Sequence, residues 1–218
     1  MSDYIDIYCE RLAPGLWAEP LNAVTNLSFI IAAFFAYKFA KDRKAITQHS
    51  ALLIFLMCAI GVGSTLFHTF ATKLTQLSDV LPILFYQIAF IWFYSLHAIR
   101  LNLLKTAALF ILFMVMTVLS EMAPSHILNG SLGYAPSITF LLGFGLWHYK
   151  SKQEQPFILL LAGLTFAVSL TFRSIDMAMC ETLEIGTHFL WHVLNGCVLY
   201  LATRGYVNAA KTQSANEV

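Results

Sequence analysis

The sequence predicts an all-α integral membrane protein, a bundle of seven transmembrane helices forming one domain over residues 1–218. Three observations lead there. Apolar residues make up 58% of the chain and charged residues 11%, where a soluble domain carries about 25% charged residues. Mean hydropathy is +0.69. The apolar residues also fall into seven runs, each near the ~20 residues of helix that cross a hydrocarbon core. The same numbers exclude other classes. A balance of 13 Lys+Arg against 12 Asp+Glu offers no basic surface to nucleic acid. The chain is too apolar for a disordered protein or a coiled coil, and its 4 cysteines are too few for a disulfide scaffold.

The spans follow in order, at approximately 20–38, 51–70, 80–98, 106–122, 132–148, 157–174 and 185–203. An acidic segment, residues 1–19, precedes the first. Pro20 opens that span where a helix start tolerates proline, and Pro82 and Pro156 are expected to open spans three and six in the same way. Lys41-Asp42-Arg43-Lys44 closes the first span, Pro124 follows the fourth, and Lys150 to Pro156 follow the fifth. The first span is too long for a signal peptide, and Asp3, Asp6, Glu10 and Glu19 before it have the wrong sign. Residues 205–218 remain as a short tail. No internal or inverted repeat is visible.

Lys and Arg set the orientation. Lys38, Lys41, Arg43, Lys44, Arg100, Lys105, Lys150, Lys152, Arg204 and Lys211 lie on one side; Arg11, Lys73 and Arg173 lie on the other. The acids reverse the pattern, with Asp42, Glu154 and Glu217 on the basic side and the other nine opposite. The basic side is expected to be cytoplasmic, placing the N-terminus outside and the C-terminus inside.

Ionisable groups at membrane depth are costly and mark candidate sites. His49, His97 and His148 fall at cytoplasmic span ends and His126 in an outer loop, positions where histidine is unremarked. His68 lies at the outer end of span two. His188 and His192, four apart at the start of span seven, present both imidazoles on one helix face about 6 Å apart. Three neutral imidazoles with an open fourth position form the ligand set of a catalytic zinc site. The bland alternative is three core histidines hydrogen-bonded across helices. Ser64 lies one turn deeper than His68 on the same face. Asp79, at the start of span three, suits proton transfer from an activated water or a supporting hydrogen bond; its alternative reading is a helix N-terminal acid.

Ser64-xxx-His68, Asp79 eleven residues on and His188-xxx-His192 together resemble the signature of the alkaline ceramidases, within a wider group of seven-span hydrolases that includes adiponectin-receptor-like proteins. The resemblance runs from Tyr8-Cys9-Glu10 and Trp17-Ala18-Glu19-Pro20-Leu21-Asn22 to the last span. It implies a zinc-dependent amidase that cleaves the N-acyl bond of ceramide or a related membrane lipid. His68, His188 and His192 would hold the zinc, Asp79 would act as general base and proton carrier, and Ser64 would bind the developing oxyanion. It also implies a calcium site in the N-terminal segment. Glu10 and Glu19 match that pattern, but Ile7 and Leu12 stand where the family has Asp and Asn. Asp6 is a substitute ligand for an ion that prefers six to eight oxygens. Cys9 and Cys180, both outside the spans on the expected oxidising side, form a candidate disulfide. Cys58 and Cys197 read as small buried hydrophobes. Arg173 and Asp176 are placed to pair with each other or to meet a lipid head group.

A retinal protein is excluded, because the last span contains no lysine. A lipid-sensing receptor would want a larger cytoplasmic loop, and a metal transporter would want ligands on both sides of the membrane. A structural zinc protein, or a hydrolase of another lipid amide or ester, stays open. With no retrieval signal in the tails, the expected location is a bacterial inner membrane with the site on the periplasmic side.

Overall fold

The computed structural model describes residues 4–124 and 126–215; Asp3 and Glu217 of the charge count lie outside the described residues. The chain is helical from Pro20 onward, and among the described residues the sole β-bridge joins Tyr4 to Thr72. Eight α-helices run in order: α1 (Pro20–Thr25), α2 (Leu27–Asp42), α3 (Gln48–Phe70), α4 (Lys73–Phe93), α5 (Leu103–Glu121), α6 (Ala135–Lys150), α7 (Ile158–Ile175) and α8 (His188–Ala215). Helices α1 and α2 break at Asn26 but together form one apolar span.

Among the described residues, six helical stretches are long and apolar enough to cross a membrane: Pro20–Asp42, Gln48–Phe70, Lys73–Ala98, Leu103–Glu121, Ile127–Lys150 and Ile158–Ile175. The seventh expected span is α8. It has 28 residues, but His188, His192, Asn195, Arg204 and Asn208 dilute its apolar character below the other six. The helix that falls short is the one that carries two of the three candidate ligands. It also continues beyond 203, and Tyr206, Val207 and Ala209 of the expected tail are buried against the bundle.

Caps, rather than hydropathy, set the helix starts. Thr47 and Ser50 bond each other's backbone N–H groups reciprocally ahead of α3, and Thr72 and Thr75 do the same ahead of α4. Asn102 accepts from the Lys105 N–H at α5. Each pair satisfies donors that the first turn leaves orphaned. Pro82 therefore does not open its helix. It lies inside α4, where its missing N–H leaves the Ser78 carbonyl without the usual i→i−4 bond.

Helix α8 packs against α7 and α2, α3 against α4 and α2, and α6 against α7; α5 sits at the periphery on α4 and α6. Of α5 only Thr106 and Phe113 are buried. Large apolar side chains such as Phe34, Phe55, Leu104 and Leu119 face outward around the bundle, which suits a lipid-facing belt and not a wet surface. At one end, the segment before α1 folds across the turn between α3 and α4. There the Ile5 N–H donates to the Ala71 carbonyl at 2.8 Å, and Cys9 is bonded to Cys180.

Candidate functional site

His68 lies in the last turn of α3, which ends where Ala71 turns left-handed at φ 49°. His188 begins α8 and His192 follows one turn later. The two helix ends bring all three imidazoles together, with a ligand atom from each within 4.8 Å of the others. Each histidine is 1% exposed. Among the described residues this is the one group of three or more His, Cys, Asp or Glu able to hold a metal ion.

The surrounding residues aim the ring nitrogens. The Glu19 carboxylate accepts from His68 Nδ1, which leaves Nε2 of that ring as a lone-pair donor. His68 Nε2 is buried and, among the described residues, has no hydrogen-bond partner. The hydroxyl of Thr25 donates to the Leu21 carbonyl at 2.8 Å. Its oxygen therefore accepts from His192 Nδ1 at 3.0 Å, again leaving Nε2 free of the proton. The His188 ring stacks on Tyr8 with centroids 3.7 Å apart, and its Nδ1 is also buried without a partner. Buried nitrogens left unpaired in a closely packed histidine cluster are costly unless a ligand takes them. Partners that fix a tautomer from behind are the usual support of metal-binding imidazoles. These residues fit a metal ion of the zinc class.

Asp176 fixes the start of α8. Its Oδ1 accepts from the N–H groups of Thr187 (2.6 Å) and His188 (2.9 Å), and its Oδ2 accepts from Cys9 N–H at 3.0 Å. Asp176 and Arg173 do not pair, because the Asp176 carboxylate is consumed by backbone donors. Gly186, at φ +62°, makes the arrangement possible; a Cβ there would lie 2.2 Å from Asp176 Oδ1 and 2.6 Å from the Cys9 Cβ. Arg173 turns instead to the Asn129 carbonyl (2.6 Å) and Ser131 Oγ (3.0 Å), with its guanidinium over the Tyr134 and Trp191 rings.

Ser64 and Asp79 lie together beside the histidines, lining the same cavity. Gly63 allows this. A Cβ on Gly63 would lie 1.8 Å from the Ser78 carbonyl oxygen, the same oxygen that Pro82 leaves without its helical partner. A side chain of any size would push α4 away and carry Asp79 with it. Asp79 stands seven residues beyond the cap Thr72, past the first turn where a helix dipole favours an acid. Ser64, Asp79, Tyr8, Arg173, His188 and His192 line one cavity. Phe29, Ile60, Ile83, Tyr134 and Trp191 form its inner wall and also line a second, strongly apolar cavity that runs along Tyr86, Phe90, Phe140 and Val198.

The three acids expected around calcium do other work. Glu10 accepts the Leu21 and Asn22 N–H groups at 2.7 and 2.8 Å, holding the start of α1. Glu19 binds His68, Arg11 and Asn22, and Asp6 is exposed. They form no cluster able to hold a metal, and the buried guanidinium of Arg11 lies against Glu19. Sequence reasoning gave no role to Tyr8, Thr25 or Arg11 and misassigned Asp176. Tyr8 stands in the quoted Tyr8-Cys9-Glu10 stretch, whereas Thr25 leaves no sequence signal at all.

The family model described as Ceramidase matches residues 8–217, nearly the whole chain. The chain belongs to the ceramidase family. In that family a lipid substrate and a membrane setting are expected, and the apolar helices agree with the membrane setting. A comparison with curated proteins matches none.

Proposed function

We propose that this protein is an intramembrane, zinc-dependent lipid amide hydrolase that cleaves the N-acyl bond of ceramide or a related lipid, releasing a fatty acid and a long-chain amine. The carrying observation is the pair of buried, unpartnered nitrogens, His68 Nε2 and His188 Nδ1, beside Ser64 and Asp79 in a cavity that shares lining residues with a neighbouring apolar one. His68, His188 and His192 hold the ion. A zinc ion there supplies Lewis acidity and lowers the pKa of water to about 7.

Asp79 takes the proton of the attacking water and later delivers it to the departing nitrogen, so one carboxylate serves as base and then acid. Ser64 donates to the carbonyl oxygen as negative charge builds there. Tyr8 holds the His188 ring by stacking and closes the site against water. The acyl chain lies along Phe90, Phe140 and Val198, and Arg173 with Tyr134 and Trp191 faces the head-group end. In this reading the site opens to the outer leaflet of a bacterial inner membrane, with the N-terminus outside.

The deciding experiment is metal content of the detergent-purified protein beside His188→Ala. About one zinc per chain, lost in the variant, supports the reading and opens a screen of lipid amides against lipid esters. No zinc in either protein overturns it.

A further inference from the structure

Arg11 is a cation where a membrane-embedded protein has least reason to bury one. It is 3% exposed, and every hydrogen-bond partner is an oxygen. Its Nε donates to Glu19 Oε1, its Nη2 to the His68 carbonyl at 2.7 Å, and its Nη1 to the Tyr4 hydroxyl and the Gly15 carbonyl, both at 3.4 Å. One carboxylate, two carbonyls and a hydroxyl from four separate places in the chain converge on one positive charge. That is the donor chemistry of a hard divalent cation. Here it is satisfied by a guanidinium whose fixed fork reaches several acceptors at once.

We propose that Arg11 is a built-in replacement for a divalent cation, and that it positions the metal ligand His68 through Glu19. The carboxylate bridges the two residues, its Oε1 on Arg11 and its Oε2 on His68 Nδ1. Without a cation on Oε1, Glu19 would be a buried charge held only through Oε2 by His68 and Asn22, and the acceptor that keeps His68 Nε2 unprotonated would be less firmly placed. The same guanidinium also grips the His68 backbone. It thereby ties residues 4–19 to the end of α3 and fixes both the position and the tautomer of one ligand. Calcium, implied by the family resemblance, is accordingly not needed by this chain. The inference rests on His68 as a metal ligand, but calcium binding and melting test it without turnover.

The test compares wild type, Arg11→Ala and Arg11→Lys, each melted and assayed for retained zinc in a chelator selective for calcium and in about 1 mM calcium, where weak oxygen sites fill. Wild type should melt identically in both and bind no calcium by calorimetry. Arg11→Ala should lose zinc affinity by about 10- to 100-fold, the usual effect of removing a ligand's support. Calcium entering the emptied oxygen cage should restore both melting temperature and zinc retention. Arg11→Lys, which keeps a charge, should retain more zinc than Arg11→Ala and ignore calcium. Wild type that binds calcium overturns the proposal, as does an Arg11→Ala protein that keeps its zinc or gains nothing from calcium. If Arg11→Ala does not fold under either condition, the other two proteins decide, because calcium stabilisation of Arg11→Lys also overturns it.

Discussion

Replacing Asp176 with Asn changes one atom and should unfasten the start of α8. The carboxylate accepts three backbone N–H groups, two on Oδ1 and one on Oδ2, and it is fully buried. An amide retains Oδ1 for Thr187 and His188 but turns its own N–H₂ toward the Cys9 N–H. That buried donor is left unpaired, which costs about 1–3 kcal/mol. The two surviving bonds lose their charge assistance, about 1 kcal/mol each. The helix N-terminus loses a facing negative charge, about 0.3–2 kcal/mol. Together these destabilise by roughly 4 kcal/mol. For a chain of this size that lowers the melting temperature by about 10 °C. The assay is a fluorescence melt in detergent, paired with zinc analysis, since His188 is the residue whose N–H is held. A variant melting within about 1 °C of wild type with its zinc intact would show that Asp176 does not organise the site.

Three further outcomes are expected. Gly63→Ala drives a methyl group into the Ser78 carbonyl and should cost about 3 kcal/mol, with hydrolysis per bound zinc falling more than zinc content, because Ser64 and Asp79 part; melting and turnover measured on one preparation separate the two. Cys9→Ser should cost about 2–5 kcal/mol, and a reductant should bring wild type down to the variant's melting temperature while leaving the variant where it is. Arg43 beside Glu154 holds that carboxyl below its usual range. The pair's stabilisation is therefore present above the ordinary carboxylate pKa of about 4.3 and disappears as pH falls through the lowered value. Because the two side chains are 32% and 41% exposed, the contribution is at most about 1 kcal/mol. The melting difference between wild type and Arg43→Ala at neutral pH should thus be small and should vanish in acid.

The helices were legible because a bilayer imposes a length and a polarity that composition reveals directly. Their boundaries were not, since hydropathy measures the membrane and not the helix. Span three read as starting near Pro82, yet the Thr72–Thr75 cap starts α4 at Lys73, and the proline serves a close helix contact instead. The histidines and Asp79 stood out as polar residues in apolar runs. What surrounds them did not. Thr25 binds His192 from a helix 167 positions away, and a lone threonine in an apolar segment looks like any other. Asp176 and Arg173, three apart, suggested an ordinary local pair. The left-handed turn at Gly186 sent the carboxylate to the backbone, and a spacing rule contains no information about that turn. Arg11 was counted only as an outer positive charge, because burial of a short N-terminal segment depends on what it docks against.

The wide separation of the three histidines along the chain has a consequence for biogenesis. Some 124 residues separate His68 from His192, roughly 10 s of synthesis at the usual rates. For that interval α3 is complete while its two partner imidazoles do not exist. Asp176 cannot gather Cys9, Thr187 and His188 until α8 emerges. If the three histidines hold a metal as proposed, its uptake is a terminal event, because a chain stopped short of α8 has only one of the three candidate ligands. Under the proposed zinc reading, the zinc content of a preparation would then report the fraction of chains in which the last helix has been made and docked.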